Sequence, residues 1–290
     1  MKTVAQLVEV LENGVCRGNK EREITNLSTD SRKIKANGLF ICLRGAHVDG
    51  HKFVDSAMAN GAVAIICDHY LDAFPELTQI IVADTVMAMQ AMVPFFYDYP
   101  ARSLRMIGVT GTNGKTTVTH MIAHILEDAG YCVGIIGTVN IVINGVSEPV
   151  HNTTPDVDLL QNTLFRMREA GVTHVVMEVS SHALALGRVA GCKYDTAVFT
   201  NLTQDHLDFH KTMDNYAAAK AKLFAMVAES EGNEAKAAVI NADDSYSKVM
   251  QDPVLHSHCR LLTYGQNKDA ALYISDVAIS AQGAKGTLHY

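Results

Sequence analysis

The sequence has no concentration of positive charge. Its 290 residues include 24 lysines and arginines against 31 aspartates and glutamates, which gives a formal net charge of -7. No basic run occurs, and no stripe of basic residues interleaved with aromatic ones. Because nucleic-acid binding depends on neutralising phosphates with Lys and Arg, these absences argue against a nucleic-acid-binding surface.

Paired cysteines and long apolar runs are also lacking. The six cysteines are scattered, without a Cys-x-x-Cys pair, which argues against a zinc knuckle or a disulfide framework and predicts reduced thiols in the cytoplasm. No apolar run approaches the roughly 18 residues of a membrane-spanning helix, so we predict no membrane association. Residues 1–11 place apolar side chains at helical spacing with Glu9 among them, which predicts an amphipathic helix and not a signal peptide.

The most informative stretch is an apolar strand that runs into a glycine-rich turn at 106–117. The residues predicted to bind ATP are Gly111, Thr112, Asn113, Gly114, Lys115, Thr116 and Thr117. In such a loop backbone N–H groups point at phosphate oxygens, Lys115 reaches the β- and γ-phosphates, and the Thr116 hydroxyl binds magnesium. The helix that follows adds its positive N-terminal end. The alternative is a strand-to-helix turn that binds nothing.

Two further polar clusters follow apolar strands. Glu178 ends the strand 174–178, where it could anchor the metal or merely face solvent. The segment 201–210 follows the strand 196–200 and holds two histidines and two aspartates, which could ligate magnesium more readily than zinc or could be ordinary loop residues. Lys220 lies on the next helix, and spacing alone does not distinguish it from a solvated lysine. We expect the strand ends to share one rim with the phosphate loop.

Strands alternate with helices along the chain, which predicts an α/β fold with a mostly parallel sheet. A proline and a polar pair in 99–103 predict a linker between two domains, 1–101 and 102–290. The main predicted helices are 4–11, 53–60, 86–97, 115–129, 157–170 and 216–227, and the main predicted strands are 39–43, 62–67, 80–82, 104–109, 132–136, 174–178, 196–200, 237–241, 261–263 and 271–279. Asn144-Gly145 predicts a tight hairpin turn.

Together these motifs resemble the Mur ligases of bacterial cell-wall synthesis, and most closely the E-type ligases, which add the third residue of the peptide. The resemblance covers essentially the whole chain, and the motifs occur in the family's order. It depends on Thr29-Asp30-Ser31-Arg32, 45–50, 111–117, Asn152-Thr153-Thr154-Pro155, 178–182, 201–210 and Asn241-Ala242-Asp243-Asp244.

The resemblance implies a small N-terminal domain that binds UDP-MurNAc and a central P-loop ATPase domain. It also implies the reaction. ATP phosphorylates the D-glutamate carboxylate of UDP-MurNAc-L-Ala-D-Glu, and the amine of a diamino acid then displaces phosphate. The choice of diamino acid stays open. Family members continue into a third, amino-acid-binding domain, so the resemblance implies a truncated, incomplete ligase that cannot complete ligation alone, and a monomer.

Site residues are implied in the same way. Lys115, Glu178, His206 and Lys220 are expected to act in catalysis, and Thr116, Glu178, His206 and Lys220 to hold Mg²⁺, with Lys220 as a carbamylated lysine. The positions implied for substrate are Thr29, Ser31, Ala46, His47 and Val48 for the UDP part and Asn152, Thr153, Thr154, Ser180 and Arg188 for the muramoyl dipeptide. Two alternatives stay open: a ligase of the folylpolyglutamate synthase kind, and a non-catalytic module that binds the nucleotide or the UDP-linked precursor.

Overall fold

The protein is described by a computed structural model that covers residues 1–45, 48–230 and 235–290. By contacts the chain divides into two compact units, and we describe each by itself. Unit 1 consists of Met1–Pro100 and Val157–Phe165, and unit 2 of Ala101–Asp156 and Arg166–Tyr290. The assignment of separate functional domains to 1–101 and 102–290 stays a prediction.

Unit 1 is a small α/β layer structure. Its elements are β1 (Lys2–Thr3), α1 (Val4–Glu9), β2 (Val15–Arg17), β3 (Glu23–Ile24), β4 (Asn26–Ser28), β5 (Gly38–Ile41), α2 (Val54–Ala59), β6 (Ala62–Cys67), β7 (Thr78–Ile81) and α3 (Thr85–Phe96). The main sheet has the order β2-β7-β6-β5-β4 and is parallel except for β2. All four residues of β5 are buried, as a strand covered on both faces requires.

Unit 2 is built on a larger sheet. Its elements are β8 (Arg105–Thr110), α4 (Lys115–Asp128), β9 (Val133–Ile136), β10 (Ile141–Ile143), β11 (Val146–Glu148), α5 (Val157–Glu169, shared between the units), β12 (His174–Glu178), α6 (Ser181–Ala185), β13 (Thr196–Phe199), α7 (Leu207–His210), α8 (Met213–Ala228), β14 (Ala237–Asn241), α9 (Ser247–Gln251), β15 (Arg260–Gly265), β16 (Leu272–Ser280) and β17 (Gly283–His289). The strand order is β11-β10-β9-β12-β8-β13-β14-β15-β16-β17.

The central strands of this sheet place the site. The strands β9, β12, β8, β13, β14 and β15 run parallel, and their register pairs Glu178 with Val109 and Phe199 with Thr110. The residues that follow β8, β12 and β13 therefore meet at one sheet edge, where open parallel sheets bind ligands. The strand order explains why polar segments distant in sequence become neighbours.

The structure confirms the α/β fold class and most predicted elements, with some differences at their ends. The hairpin at Asn144-Gly145 is confirmed, because both residues have positive φ, 50° and 75°, between the paired strands β10 and β11. Helix α8 begins at Met213, earlier than predicted, because the Thr212 side chain caps it. The segment predicted as a linker forms a short 3₁₀ helix, Pro100–Ser103, in which Ala101 is buried.

Short strands were missed by the sequence analysis. The strands β1 to β4 have two or three residues each, which is too few to show the alternation that identifies a strand. Within the three described ranges, no helix combines the length and hydropathy needed to cross a bilayer.

Candidate nucleotide-binding site

The glycine-rich loop follows β8 and leads directly into α4. Gly111 has φ +149° and Gly114 has φ +84°, which are backbone conformations that residues other than glycine rarely adopt. A Cβ at Gly111 would lie 1.9 Å from Thr200 Oγ1. Glycine at this position therefore lets the loop pass directly against the end of β13.

Hydrogen bonds fasten the loop to the segment after β13. The Asn113 amide donates to Asn201 Oδ1 at 3.0 Å, and Asn201 Nδ2 donates to the Asn113 carbonyl at 3.1 Å. The Thr200 hydroxyl donates to the same carbonyl at 2.7 Å, and the Thr112 amide donates to the Asn201 carbonyl at 2.8 Å. These bonds fix the backbone of the loop between Thr112 and Asn113.

Two ammonium groups converge on one backbone oxygen of the loop. Lys115 Nζ donates to the carbonyls of Gly111 and Thr112, both at 2.9 Å, and Lys220 Nζ donates to the Gly111 carbonyl at 2.9 Å. Lys220 is 1% exposed, so it is not a solvated helix residue. Burial, and then repulsion from Lys115, lowers the pKa of Lys220 to about 7. Burial also lowers the pKa of Lys115.

Glu178 is a buried carboxylate at the tip of β12. It is 1% exposed, so it does not face solvent. It accepts hydrogen bonds from the Thr116 hydroxyl at 3.0 Å, from the Thr138 hydroxyl at 3.0 Å and from the Thr138 amide at 2.8 Å. Across the described residues, its hydrogen-bond donors are all uncharged. A Cβ at Gly137 would lie 2.4 Å from Glu178 Oε1, so glycine there makes room for the carboxylate.

The pair of Thr116 and Glu178 fits a magnesium ion. Both side chains offer oxygen, the donor that Mg²⁺ prefers, and they lie 3.0 Å apart at the start of α4. No charged side chain among the described residues donates a hydrogen bond to Glu178, so its oxygens are not committed to an ion pair. Thr116 and Glu178 would therefore hold the ion beside the phosphate loop.

His206 lies in an aromatic cluster with His182 and Tyr216. Its ring centroid is 4.7 Å from that of His182 and 6.1 Å from that of Tyr216. The Tyr216 hydroxyl lies 3.2 Å from Thr112 Oγ1, and Lys220 Nζ lies 4.5 Å from the centre of the Tyr216 ring. The cluster thus connects His206 to the loop and to Lys220.

The residues predicted to bind the muramoyl dipeptide lie in unit 2: Asn152, Thr153, Thr154, Ser180 and Arg188. The Thr154 hydroxyl donates to the Glu178 carbonyl at 2.9 Å and accepts from the Ser180 amide at 3.0 Å. The Thr153 hydroxyl is 3.0 Å from that of Thr138, which also bonds the Glu178 carboxylate. Thr153, Thr154 and Ser180 therefore adjoin the candidate metal ligand.

The other two predicted dipeptide positions are Arg188, which lies near Thr154, and Asn152, which lies at the surface. Arg188 Nε pairs with Asp156 Oδ1 at 2.8 Å, and its guanidinium also donates to the Thr154 carbonyl at 3.4 Å. Asn152 is exposed. The structure thus brings Arg188 to the same segment as Thr154.

The positions predicted to hold the UDP part belong to unit 1. Thr29 donates through its amide and its hydroxyl to Asp158 Oδ2, at 3.3 and 3.2 Å. Ser31 Oγ lies 3.3 Å from Ser56 Oγ. Val48 is exposed. The other two predicted positions, Ala46 and His47, lie outside the described residues.

Sequence analysis missed three residues of the candidate site, Gly137, Thr138 and Tyr216. Gly137 and Thr138 follow the strand β9. The signal was a small or polar residue directly after an apolar parallel strand, the same signal that identified Glu178. Tyr216 gave no such signal, because a tyrosine in an amphipathic helix is most simply explained as a core residue.

A model of the Mur ligase middle domain matches residues 109–290, and a model described as Mur ligase family, catalytic domain, matches residues 23–94. The chain belongs to the Mur ligase family. This Mur ligase chain is 44% identical over 284 residues to the UDP-N-acetylmuramoyl-L-alanyl-D-glutamate--2,6-diaminopimelate ligase of Bacillus velezensis, a match that covers 98% of the chain and 57% of the relative. It thus spans little more than half the length of that curated relative.

Solved structures give the same fold. A structure of UDP-N-acetylmuramoyl-L-alanyl-D-glutamate--2,6-diaminopimelate ligase matches with a TM-score of 0.78 and 31% identity, over 99% of this chain and 57% of that one. A folylpolyglutamate synthase of Mycobacterium tuberculosis matches with a TM-score of 0.54 and 16% identity, over 70% of this chain and 51% of that one. At that identity, the second likeness shows the fold alone.

Proposed function

We propose that the chain serves an ATP-dependent ligase of peptidoglycan precursor synthesis. The reaction joins the amine of a diamino acid to the D-glutamate carboxylate of UDP-MurNAc-L-Ala-D-Glu. The names of the similar ligases make 2,6-diaminopimelate the diamino acid that we propose. The observation that carries the proposal is the cluster of Lys115, Thr116 and Glu178 at the phosphate loop.

Each residue of the cluster has a part in binding ATP. Lys115 would leave the loop carbonyls and reach the β- and γ-phosphates, and the loop amides would face the phosphate oxygens. Thr116, Glu178 and His206 would hold Mg²⁺, which would offset the repulsion between the γ-phosphate and the substrate carboxylate. Thr153, Thr154 and Ser180, next to Glu178, and Arg188, next to Thr154, would place that carboxylate.

The reaction proceeds in two displacements. A carboxylate oxygen of the substrate attacks the γ-phosphorus, the bond to the β-phosphate oxygen breaks, and ADP leaves. The free amine then attacks the carbonyl carbon of the acyl phosphate, the C–O bond to phosphate breaks, and the amine loses a proton. Phosphate is a far better leaving group than the original carboxylate oxygen, which explains the use of ATP.

Lys220 is suited to carbamylation. A carbamate forms when a neutral amine attacks CO₂ and releases a proton, which turns a cation into a carboxylate. Since the pKa of Lys220 is lowered to about 7, the Lys220 amine is neutral in about half of the molecules at pH 7. The nearby charge of Lys115 would stabilise the carbamate, which would add a further oxygen ligand for magnesium.

The test is a titration of the chain with the non-hydrolysable ATP analogue AMPPNP in magnesium, and with UDP-MurNAc-L-Ala-D-Glu. An assay of phosphate and tripeptide formation with ATP and 2,6-diaminopimelate follows. Binding of both ligands with release of phosphate supports the ligase. Binding without phosphate favours the non-catalytic module instead, and failure to bind either ligand contradicts both.

A folylpolyglutamate synthase is the other candidate enzyme. The match of residues 23–94 to a Mur ligase model favours the Mur reaction, because that region belongs to unit 1 and not to the ATP site. A titration with folate in place of the UDP-linked substrate separates the two, and folate-dependent phosphate release would refute our choice. The cytoplasmic location and the monomeric state stay predictions.

A further inference from the structure

Unit 1 contains a cluster of metal-binding side chains that the proposed reaction does not use. His51, Asp68 and His69 each offer one ligand atom, and these atoms lie within 4.8 Å of one another. His51 belongs to the 3₁₀ helix Gly50–Phe53, and the other two directly follow β6. Two segments distant in sequence therefore bring two imidazoles and a carboxylate together.

The imidazole of His51 is oriented by a second carboxylate. His51 Nδ1 lies 2.6 Å from Asp49 Oδ1, and the His51 side chain is only 7% exposed. A hydrogen bond to the Asp49 carboxylate places the proton on Nδ1 and leaves the lone pair on Nε2, where it accepts a long hydrogen bond of 3.5 Å from the Asp68 amide that a metal ion would replace. This carboxylate–histidine arrangement is the one that supports metal-bound histidines in proteins.

Asp68 is oriented in a similar way. Its Oδ2 lies 2.6 Å from Arg44 Nε, while its Oδ1 faces both histidines, at 3.4 Å from His51 Nε2 and 2.5 Å from His69 Nδ1. The Arg44 guanidinium thus orients this carboxylate towards the two imidazoles.

The distances suit a tetrahedral ion. Zinc ligands lie about 2.0–2.1 Å from the metal, which separates two ligand atoms of a tetrahedral site by about 3.3 Å. The 3.4 Å between His51 Nε2 and Asp68 Oδ1 matches this edge. His69 must move outward by nearly 1 Å, and its side chain, which is 53% exposed, is free to do so. Water would complete the coordination.

We propose that His51, Asp68 and His69 form a binding site for a divalent transition metal ion, with zinc as the preferred ion. Two imidazole nitrogens and one carboxylate oxygen are a ligand set that zinc accepts and that magnesium and calcium, which prefer oxygen, do not. The bound ion would join the 3₁₀ helix to the end of β6 and so stabilise unit 1.

The experiment is a titration of the EDTA-treated chain with zinc, with the visible spectrum of added cobalt as a second readout. We expect one zinc ion that is lost in His69→Ala, since this exposed side chain can be removed without disturbing the core. Asp49→Asn should weaken zinc binding about 10–100-fold, because it removes the carboxylate that orients His51, while the asparagine oxygen can still cap the 3₁₀ helix as Asp49 does. Far-UV circular dichroism checks that both variants are folded.

Two further variants make the result specific. His124, an exposed histidine 3.2 Å from Glu127, provides the matched control, and zinc binding should be unchanged in His124→Ala. The histidines of unit 2 are the competing site. Zinc that persists in His69→Ala and is lost in His206→Ala would overturn the proposal, and so would the absence of zinc binding by the unaltered chain.

Discussion

Gly111→Ala tests whether the close contact between the phosphate loop and the end of β13 is structurally necessary. The added Cβ would lie 1.9 Å from Thr200 Oγ1 and 3.0 Å from the Asn201 carbonyl oxygen, at a φ of +149°. The substitution therefore combines backbone strain with overpacking. Gly130→Ala is the matched control, since Gly130 also has positive φ, +88°, but has open space around its would-be Cβ.

The two substitutions should lower the free energy of unfolding by different amounts, because only the alanine at 111 clashes with its neighbours. Backbone strain at positive φ lowers the free energy of unfolding by about 1–3 kcal/mol in each variant. Overpacking at Gly111 adds about 1–3 kcal/mol, so Gly111→Ala should be destabilised by about 2–6 kcal/mol. The entropy that alanine removes from the unfolded chain is the same in both variants and cancels in the comparison.

The assay is urea unfolding followed by circular dichroism, with AMPPNP titration as a second readout. Thr200→Ala removes the closest clashing atom, so Gly111→Ala should be milder in that background by at least about 1 kcal/mol. Equal destabilisation by Gly111→Ala and Gly130→Ala, with no coupling to Thr200, would refute the contact on which the argument depends.

Three further outcomes follow from the site. Lys115→Ala should weaken AMPPNP binding roughly 10–100-fold, since a charged hydrogen bond contributes about 1.5–3 kcal/mol; Lys222→Ala, on the exposed face of α8, should leave calorimetric affinity unchanged. Glu178→Gln should abolish the gain in AMPPNP affinity that magnesium gives; a variant that keeps the gain would contradict the assigned ligand. The pKa of Lys220 is about 7 in the folded chain and near the ordinary 10.5 in the unfolded chain. Burying the protonated amine therefore lowers the free energy of unfolding by its full amount below pH 7. This destabilisation decreases as pH rises towards 10.5, because the folded chain then loses the proton that the unfolded chain still holds. The urea-unfolding free energy should rise less steeply above pH 7 in Lys220→Met than in Lys222→Met, and equal slopes would contradict the shift.

Sequence alone predicts the parts of the candidate site that have a fixed local pattern. The loop 111–117 is one contiguous segment, and Glu178 ends an apolar strand, so both could be predicted without knowing which strands are neighbours. The parallel sheet follows from alternating strands and helices. These features depend on short-range chemistry, which a sequence displays directly.

The remaining parts depend on long-range packing. The sequence did not distinguish Lys220 from Lys222, because burial of Lys220 depends on α8 lying against the loop. The support of Glu178 by Thr138 depends on β9 pairing with β12, which the sequence does not reveal. The strands β1 to β4 escaped prediction because strands of two or three residues are defined by their pairing and not by their own pattern.

The hydrogen bonds between the phosphate loop and the segment after β13 affect the expected rate of nucleotide binding. Asn113 is held by hydrogen bonds to protein groups alone, those of Thr200 and Asn201. A receptor segment that is already in place gives up little conformational entropy on association. Capture should therefore occur in one kinetic step, with an observed rate that grows in proportion to nucleotide concentration and does not level off at a loop-closing rate.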